Sequence, residues 1–390
     1  MGAAYADQVV SHVRNQRQAL IQLLQRMVNA ESPSSQPGSH RLIRSVLKDA
    51  LSSIDYKVCT AGADGSHKHI YARRNNRSKK HGAQLLLGHY DTVWPLGTIL
   101  NRPFTIDGNI IRGPGVFDMK GGLAQIIFAL KAIRELDLPL PVEPVVFINS
   151  DEEIGSRTST RYVRALAQQV ERAFVLEPSM GEEGAIKTER KGVGRFTITV
   201  HGKAAHAGLD PEAGASAILE LSHVIQTLFA LNDADKGISV NVGTVDGGLR
   251  PNVIAPHSQA VVDVRVPTIA AGDKIAKTIY GLEPVTPGVH LTVEGRIGRP
   301  AMEMTPRNKA LWQQAKKLGR KLGLQLQHGR AGGASDGNTT SQYTATLDGL
   351  GPVGHGAHAE HEFLYIDRTL ERTALLALLL LSPGADGAAA

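Results

Sequence analysis

The sequence of 390 residues predicts an α/β protein, with a mostly parallel central sheet flanked by helices and a smaller α+β domain inserted into it. Short apolar runs typical of buried strands alternate with amphipathic helical segments before residue 192 and again after residue 298. Between these positions the strands alternate polar and apolar side chains, as in an antiparallel sheet with one exposed face. The chain also exceeds the ~250 to 300 residues at which a single core stops growing, so two domains are expected.

In the first part of the chain, apolar residues at helical spacing predict helices over residues 7–30 and 40–54, separated by the polar segment SPSSQPGS. The same spacing predicts a helix over 119–136, where Asp118 is placed to cap the first turn. Buried strands are predicted at AQLLLG (83–88), PVVFINS (144–150) and RAFVLEP (172–178). Strands and helices therefore alternate along this part.

The inserted domain is predicted at residues 192–298. The segment GASAILELSHVIQTLFAL predicts one amphipathic helix, and strands are predicted at GRFTITVHG, GISVNVGTVDGG, SQAVVDVRVP and GVHLTVEGR. The α/β pattern then resumes with a helix at 308–322. The predicted boundaries are therefore 1–191 and 299–383 for the two parts of the first domain, and the tail 384–390 is predicted to be disordered.

The composition excludes several classes of protein. Hydrophobic residues at 42% and charged residues at 21% are typical of a soluble globular chain, and no apolar run reaches the ~18 residues of a membrane span. The single cysteine, Cys59, excludes an intramolecular disulfide and a thiolate zinc cluster, so any metal must bind histidine and carboxylate side chains. The N-terminus lacks the pattern of a secretory signal, which predicts a cytoplasmic protein with no membrane partner.

The formal net charge of +6 does not by itself predict nucleic-acid binding. Lys and Arg are scattered, and their densest cluster, at 73–82, lies between two strand-like runs and is predicted to be a solvated loop. Aromatic residues, at 5%, offer few surfaces on which bases could stack. A small anionic substrate explains a mildly basic chain equally well, so no nucleic-acid partner is predicted.

Acidic and histidine side chains follow the predicted strands. His89 and Asp91 come just after the first strand, the acids of NSDEE follow the second, and Glu177 ends the third. Because ligands of open α/β sheets bind at the carboxyl ends of the strands, these groups and Asp118 can converge although they are distant in sequence. Taken singly, each also fits a solvated turn or a strand terminus.

Several buried carboxylates in one crevice are unfavourable unless they are protonated or bound to a cation. A pair of metal ions is therefore the simplest prediction, with Asp118 as the carboxylate that bridges them. A nitrogen ligand is expected from the glycine-rich segment GPVGHGAHAEHEFLYI, which holds His355, His358 and His361. The residues alone leave open which histidine binds, and a histidine-rich surface loop is the alternative.

Several motifs occur in order from about residue 80 to 370: GHYDTVWPLGT, GPGVFDMKGGLA, NSDEEIGS, EPS, HGKAAHAG, and GAH with Glu362 downstream. Together they resemble the dinuclear zinc aminoacylase and carboxypeptidase family, whose members include glutamate carboxypeptidase, acetylornithine deacetylase, succinyl-diaminopimelate desuccinylase and tripeptidase. The resemblance implies two Zn²⁺ ions per chain, with Co²⁺ as an alternative. It also implies that the first domain is catalytic and that the inserted one is the lid or dimerisation domain of a homodimer.

Residue by residue, the resemblance implies a set of metal ligands: His89 and Glu177 on one zinc ion, Glu153 and His358 on the other, and Asp118 as the bridge. The histidines on either side of His358 remain alternatives to it. Asp91 would orient His89 through the other ring nitrogen. Glu152 would be the general base, whereas the neighbouring Asp151 has no predicted role.

In the inserted domain, the resemblance implies that His206 stabilises the oxyanion of the reaction, often in the active site of the partner subunit. A loop histidine without function is the alternative. Arg299, in GRIGRPAMEM, is the predicted clamp on a substrate carboxylate, and Asn252 is its predicted companion. Arg265 is predicted to be structural, and the basic residues within 187–191 are predicted to meet a second carboxylate or to form a solvated turn.

The predicted substrate is therefore a small N-acyl amino acid or peptide. The predicted activity is zinc-dependent hydrolysis of an amide bond next to a free carboxylate, with release of a C-terminal amino acid, as in glutamate carboxypeptidase. An N-acyl amino acid deacylase of the acetylornithine type is the alternative of the same chemistry. A non-catalytic metal-binding scaffold is the alternative of a different class.

Overall fold

The computed structural model describes residues 5–62, 67–76 and 82–384. Apart from Gly384, the tail predicted at 384–390 lies outside these residues, as does part of the basic loop predicted at 73–82. The chain divides into two units. The first comprises Met1–Thr188, Met304–Arg330 and Ser335–Ala390, and the second comprises Glu189–Glu303 with Ala331–Ala334. Residues 192–298 therefore fall within the second unit.

The helices are α1 (Ala6–Asn15), α2 (Arg17–Asn29), α3 (Arg41–Ser52), α4 (Thr98–Asn101), α5 (Gly121–Glu135), α6 (Thr160–Ala167), α7 (Ala217–Phe229), α8 (Ile269–Tyr280), α9 (Pro306–Lys321), α10 (Asp336–Thr340) and α11 (Ile366–Leu380). Short helical turns of other types occupy Pro37–His40, Val116–Lys120 and Pro211–Ala213.

The strands are β1 (Tyr56–Ala61), β2 (His69–Arg74), β3 (Ala83–His89), β4 (Thr105–Asp107), β5 (Ile110–Arg112), β6 (Glu143–Asn149), β7 (Arg172–Val175), β8 (Ile186–Arg190), β9 (Gly192–His201), β10 (Ser239–Gly247), β11 (His257–Val266), β12 (His290–Arg299), β13 (His328–Ala331), β14 (Ala345–Leu347), β15 (Gly354–His355) and β16 (Phe363–Tyr365).

The central sheet of the first unit has the strand order β1-β2-β6-β3-β7-β14. The strands from β6 to β14 are parallel, and β1 and β2 run antiparallel at one edge. On β3, Leu86 packs in the large core that contains α5 and α11, whereas Leu85 and Leu87 pack in a smaller cluster with Val163 of α6. Both faces are covered, which explains the continuous apolar run of this strand and confirms the predicted α/β class.

Two details of the predicted helices are wrong. The helix expected over residues 7–30 is divided at Gln16, which separates α1 from α2. Asp118 does not cap the helix expected over 119–136, because α5 begins at Gly121 and its N-cap residue is Lys120. Asp118 lies instead in the preceding turn with non-helical backbone angles, and its carboxylate faces two imidazoles rather than the amides of the helix.

A small sheet with the order β15-β16-β5-β4 lies in the same unit. β16 pairs antiparallel with β5, and Leu364 is opposite Ile111. The loop that joins β15 to β16 contains His358, and the turn at Val116–Lys120 follows shortly after β5. The pairing therefore brings two segments of the candidate site together although they are far apart in the chain. β8 and β13 pair separately.

The second unit is a four-stranded antiparallel sheet with the order β10-β11-β9-β12. Alternate side chains of β9, including Phe196 and Ile198, pack with Leu221 of α7 and Ile279 of α8 in one core. The helices thus cover one face of the sheet. The side chains at the intervening positions of each strand project to the opposite face. Across the ranges that the structure describes, no helix is both long and apolar enough to cross a membrane.

Candidate metal centre

His89 is the last residue of β3 and is 1% exposed at the carboxyl end of the sheet. Its Nδ1 lies 2.9 Å from the backbone oxygen of Asp91 and 3.5 Å from the carboxylate of the same residue. Its Nε2 faces Asp118 Oδ1 at 3.3 Å and Glu177 Oε1 at 3.5 Å. An imidazole held in this way at Nδ1 presents Nε2 to a metal ion, with the ring orientation fixed by its oxygen partner.

Asp118 lies between two imidazoles. Its Oδ1 faces Nε2 of His89 at 3.3 Å, and its Oδ2 faces Nε2 of His358 at 3.4 Å. The peptide bond between Asp118 and Met119 is cis. One carboxylate thus has a nitrogen ligand candidate on each side, which is the arrangement that a carboxylate bridging two ions requires.

His358 comes from the loop between β15 and β16, with its backbone in the left-handed region at φ 61°. Non-glycine residues rarely adopt this conformation, and it is found mostly where the surrounding structure demands it. The Nε2 atom of His358 lies 2.9 Å from Glu153 Oε2. His355 and His361 contact each other instead, with Nδ1 and Nε2 3.2 Å apart. Of the three histidines in the loop, it is therefore His358 whose ring meets the carboxylates.

Among residues 5–62, 67–76 and 82–384, two groups of side chains bring their potential ligand atoms within 4.8 Å of one another. The first contains His89, Glu152 and Glu177, and the second contains His89, Asp118 and Glu153. The first group thus includes Glu152, for which the predicted role is that of a base and not a ligand. Since His89 belongs to both groups, the side chains form one cluster.

The pKa values of the cluster reflect carboxylates crowded together in a buried space. Burial and the charge of Asp118 raise the pKa of Glu153 to about 8, and the same two causes raise the pKa of Glu177. Hydrogen bonds to Asp118 and Glu153 raise the pKa of His358 to about 10. Burial opposes ionisation of Asp118, but its hydrogen bonds with His358 and His89 outweigh burial and hold its pKa below the usual range. The carboxylates of the cluster are therefore stabilised in their ionised form by positive charge placed next to them.

The cluster fits a divalent metal. Within the described ranges, Oε1 of Glu153 is buried without a hydrogen-bond partner, and the buried Oδ1 of Asp118 faces the imidazoles and carboxylates of the cluster. Buried carboxylate oxygens without a partner are unfavourable unless a cation binds them. Imidazole nitrogens combined with carboxylate oxygens are ligands that zinc and related divalent ions favour.

The carboxylate of Asp91 holds the segment that follows β6. Its Oδ1 accepts the N–H of Glu152 and its Oδ2 accepts the N–H of Glu153, both at 3.2 Å. Oδ2 also accepts the hydroxyl of Ser34 at 2.7 Å. Asp91 thus fixes the backbone of two adjacent glutamates, beyond its predicted contact with His89. Sequence reasoning missed Ser34, which lies in a segment interpreted only as a break between helices.

Asp151, which had no predicted role, closes the loop that follows the adjacent glutamates. It is fully buried, and it accepts the backbone N–H of Thr158 at 2.6 Å and the hydroxyl of the same residue at 2.7 Å. It also accepts the hydroxyl of Ser159 at 2.6 Å. These bonds form a ring of contacts across the segment 151–159. The first acid of the triplet therefore shapes the loop that carries the other two.

Glu362 is a buried carboxylate that holds the turn containing Asp118. Its Oε1 accepts the N–H of Phe117 at 2.8 Å and that of Asp118 at 3.0 Å. Its Oε2 accepts the N–H of Gly115 at 2.8 Å and the indole N–H of Trp94 at 2.9 Å. Burial raises the pKa of Glu362 although the backbone hydrogen bonds oppose this effect. The only sequence signal for this residue is its place downstream of the GAH motif.

His206 and Asn252 lie in adjoining loops of the second unit. The His206 Nδ1 atom accepts the backbone N–H groups of Gly208 and Leu209, both at 3.2 Å. The backbone oxygen of Asn252 accepts the N–H of Ala207 at 3.0 Å, which ties the two loops together. Because Nδ1 accepts hydrogen bonds, the proton of the neutral ring belongs on Nε2, and this exposed ring can donate it.

Arg299 ends β12, where the pairing with β9 shifts register between Ile297 and Arg299. Such a bulge changes the direction in which a side chain projects.

The other arginines considered in the sequence have local partners. Arg265 donates from Nε and Nη2 to the two carboxylate oxygens of Asp263, at 2.7 and 3.1 Å, within the same strand. Arg190 donates to the backbone oxygen of Gly333 at 3.0 Å.

Comparison with known proteins identifies similar chains. The chain is 26% identical over 385 residues to carboxypeptidase G2 of Pseudomonas sp. (strain RS-16), and the match covers 95% of this chain and 91% of the relative. Its fold is similar to that of aminopeptidase PepT from Bacillus cereus ATCC 10987, with a TM-score of 0.74 at 19% identity and coverage of 95% and 98% of the two chains.

A second solved structure with a similar fold is a dinuclear metal-binding peptidase of the M20 family from Bacillus subtilis, with a TM-score of 0.67 at 15% identity and coverage of 94% and 98%. The model of peptidase family M20/M25/M40 matches residues 85–382, a range that includes every residue of the cluster around Asp118. The match covers more than half of the sequence, so the chain belongs to peptidase family M20/M25/M40 and is a metal-dependent hydrolase.

Proposed function

We propose that this chain is a dinuclear zinc carboxypeptidase, which hydrolyses an amide bond next to a free carboxylate and releases a C-terminal amino acid. The observation that carries the proposal is the position of Asp118 between the Nε2 atoms of His89 and His358, at 3.3 and 3.4 Å. Membership of the peptidase family supplies the reaction class. The similarity to carboxypeptidase G2 over 95% of the chain supports carboxypeptidase activity. Because the motifs resemble those of glutamate carboxypeptidase, the proposal includes a preference for a C-terminal glutamate.

The residues that would hold the two ions are those of the sequence prediction: His89 and Glu177 on one side of Asp118, and Glu153 and His358 on the other. When bound, the ions would lower the pKa of a water molecule and polarise the scissile carbonyl group. The buried Oε1 of Glu153, which has no hydrogen-bond partner within the described residues, supports this assignment. Co²⁺ is the alternative metal, since its ligand preferences are similar.

Glu152 is the proposed general base. Its backbone is held by Asp91, and its carboxylate belongs to the group that includes His89 and Glu177. In this position the carboxylate would take a proton from the attacking water and then deliver it to the amine that leaves. Because Glu153 is adjacent in sequence, proton transfer and metal binding would fall to two neighbouring side chains.

His206 is proposed to stabilise the oxyanion that develops on the substrate carbonyl. Its Nδ1 atom accepts two backbone N–H groups, so its Nε2–H is the available donor. His206 belongs to the second unit, and we propose that this unit acts as a lid and as the contact of a homodimer, with the histidine acting in the same or the partner subunit.

Arg299 is the proposed clamp for the substrate carboxylate, with Asn252 as a companion contact. A guanidinium can bind a carboxylate through two parallel hydrogen bonds, which fixes both its position and its orientation. The single cysteine, Cys59, is exposed and free, and this suits a reducing compartment; we therefore include a cytoplasmic location in the proposal.

Replacing Glu152 with alanine is expected to lower kcat/KM for a peptide substrate by at least ~100-fold, because general acid–base catalysis contributes about that much or more. The metal content per chain should stay at the wild-type value, as measured by inductively coupled plasma mass spectrometry. Glu360→Ala, at an exposed position of the histidine loop, is the control and should retain activity. Retained activity in Glu152→Ala would refute its role as the base. Loss of one metal equivalent would identify Glu152 as a ligand instead.

The variant Glu362→Gln is expected to bind metal about 10- to 100-fold more weakly, since residues that orient metal ligands typically contribute that much to affinity. The amide offers one oxygen, and its NH₂ group would oppose backbone N–H donors of the Asp118 turn. Competition with a chelator measures the affinity without reference to catalysis. Glu360→Gln is the matched control. Unchanged affinity in Glu362→Gln would show that this carboxylate does not position Asp118.

For the substrate, Arg299→Ala is expected to lower kcat/KM roughly 10- to 100-fold for peptides with a free C-terminal carboxylate, the range given by loss of a hydrogen bond to a charged group. Peptides with an amidated C-terminus should be poor substrates of both proteins. Arg296→Ala, at an exposed position of the same strand, should behave as wild type. An equal effect of both substitutions would remove the clamp assignment. Equal wild-type rates for C-terminal glutamate and neutral residues would remove the glutamate preference.

A further inference from the structure

Three histidines form one row across the sheet of the second unit. His201 ends β9, and in the register of the sheet it lies opposite His257 of β11 and opposite His290 of β12. Residues directly opposite each other in neighbouring strands project to the same face, with Cβ atoms ~4.5 to 5.5 Å apart. The three imidazoles therefore lie side by side on one face, and we call them the histidine row.

The rings of the histidine row are in contact. Those of His201 and His290 are stacked, with centroids 4.5 Å apart and an interplanar angle of 10°. Those of His201 and His257 meet edge to face, with centroids 6.0 Å apart. The outer two histidines are exposed, and the core under α7 and α8 is built from the other face of the sheet. The row is thus open to solvent and is not a packing feature of that core.

The side chains in the neighbouring row carry no positive charge, and this row includes Asp246 of β10, opposite Gln259. In the adjacent row on the same face, Gln259 of β11 donates a hydrogen bond of 3.1 Å to the hydroxyl of Thr199 of β9. On β12, the hydroxyl of Thr292 lies 3.3 Å from Nε2 of His201. No lysine or arginine occupies these two rows of the described sheet. A cation that approaches the imidazoles therefore meets no positive side chain in the rows themselves.

We infer that the histidine row binds a divalent first-row transition metal ion, such as zinc or copper(II), through its imidazole nitrogens. Imidazole is the ligand that these ions favour, and a set without carboxylates does not suit calcium or magnesium. An ion above the middle strand is within reach of rings from both neighbouring strands, because the Cβ spacing is ~5 Å. His201 and one neighbour supply two nitrogens, and the third imidazole completes the three protein ligands that a zinc site with an open position has.

Binding requires rotation of the rings. In the ranges that the structure describes, the groups whose ligand atoms lie within 4.8 Å are both at the cluster around His89 and Asp118. Stacked imidazoles must therefore turn about their side-chain bonds to direct nitrogens towards one ion, and the exposed His257 and His290 can exchange rotamers rapidly. The ligands of this accessory site all belong to the second unit, whereas the cluster around Asp118 belongs to the first. The inference does not depend on the proposed peptidase activity.

The test is the zinc content of the full-length protein after dialysis against excess zinc, measured by mass spectrometry. Wild type is expected to hold one zinc ion per chain more than His201→Asn, because the ligands of the other metal centre are unchanged. His290→Asn, an exposed position on an edge strand, should lower the zinc content in the same direction without the risk of disturbing the middle of the sheet. His223→Asn, at an exposed position on α7, is the control and should match wild type.

Equal zinc contents in wild type, His201→Asn and His290→Asn would overturn the inference. So would an equal loss in His223→Asn, because this would indicate diffuse binding to surface histidines. With copper(II) as the probe, nitrogen splittings from two or more imidazoles should be present in the electron paramagnetic resonance difference spectrum between wild type and His201→Asn. A difference spectrum without such splittings would contradict coordination by the row. The extra zinc should also be lost in acid, since protons compete for the nitrogens.

Discussion

The carboxylate of Asp118 between two imidazoles is the interaction on which the candidate centre depends. His89 reaches it from the end of β3 and His358 from the β15–β16 loop, and the two rings face different oxygens of the same carboxylate. Glu362 holds the backbone of the turn through the N–H groups of Phe117 and Asp118. The central sheet and the small β15-β16-β5-β4 sheet thus meet at one side chain.

This convergence has an electrostatic cost that a metal ion would offset. Carboxylates gathered at the ends of parallel strands raise each other's pKa values, and Glu153 and Glu177 both show this effect. Divalent ions favour the charged form of every carboxylate at once. The same crowding that makes the cluster unfavourable alone therefore favours the binding of a divalent ion. Asp91 and Asp151 fix the loop that carries Glu152 and Glu153 by bonds to its backbone and side chains.

Much of this arrangement follows from the sequence because strand ends in an α/β sheet share one edge. The runs before His89, the NSDEE motif and Glu177 predict strands β3, β6 and β7, and parallel pairing brings their ends together. The hydrogen bonds of Glu362 could not be predicted in this way, since its backbone partners lie 244 to 247 residues away in the chain. Asp118 likewise fits a helix cap by local spacing, and only tertiary contacts turn it towards the imidazoles. Local patterns cannot distinguish these alternatives, because their energies depend on partners that the fold supplies.

The most direct test is anomalous X-ray scattering from crystals of the protein grown with zinc, recorded at the zinc absorption edge. We predict two peaks in the first unit, one on each side of Asp118, with His89 next to one and His358 next to the other. The oxygens of Asp118 should contact both ions. A single peak, or two peaks that do not share Asp118, would contradict a bridged dinuclear centre.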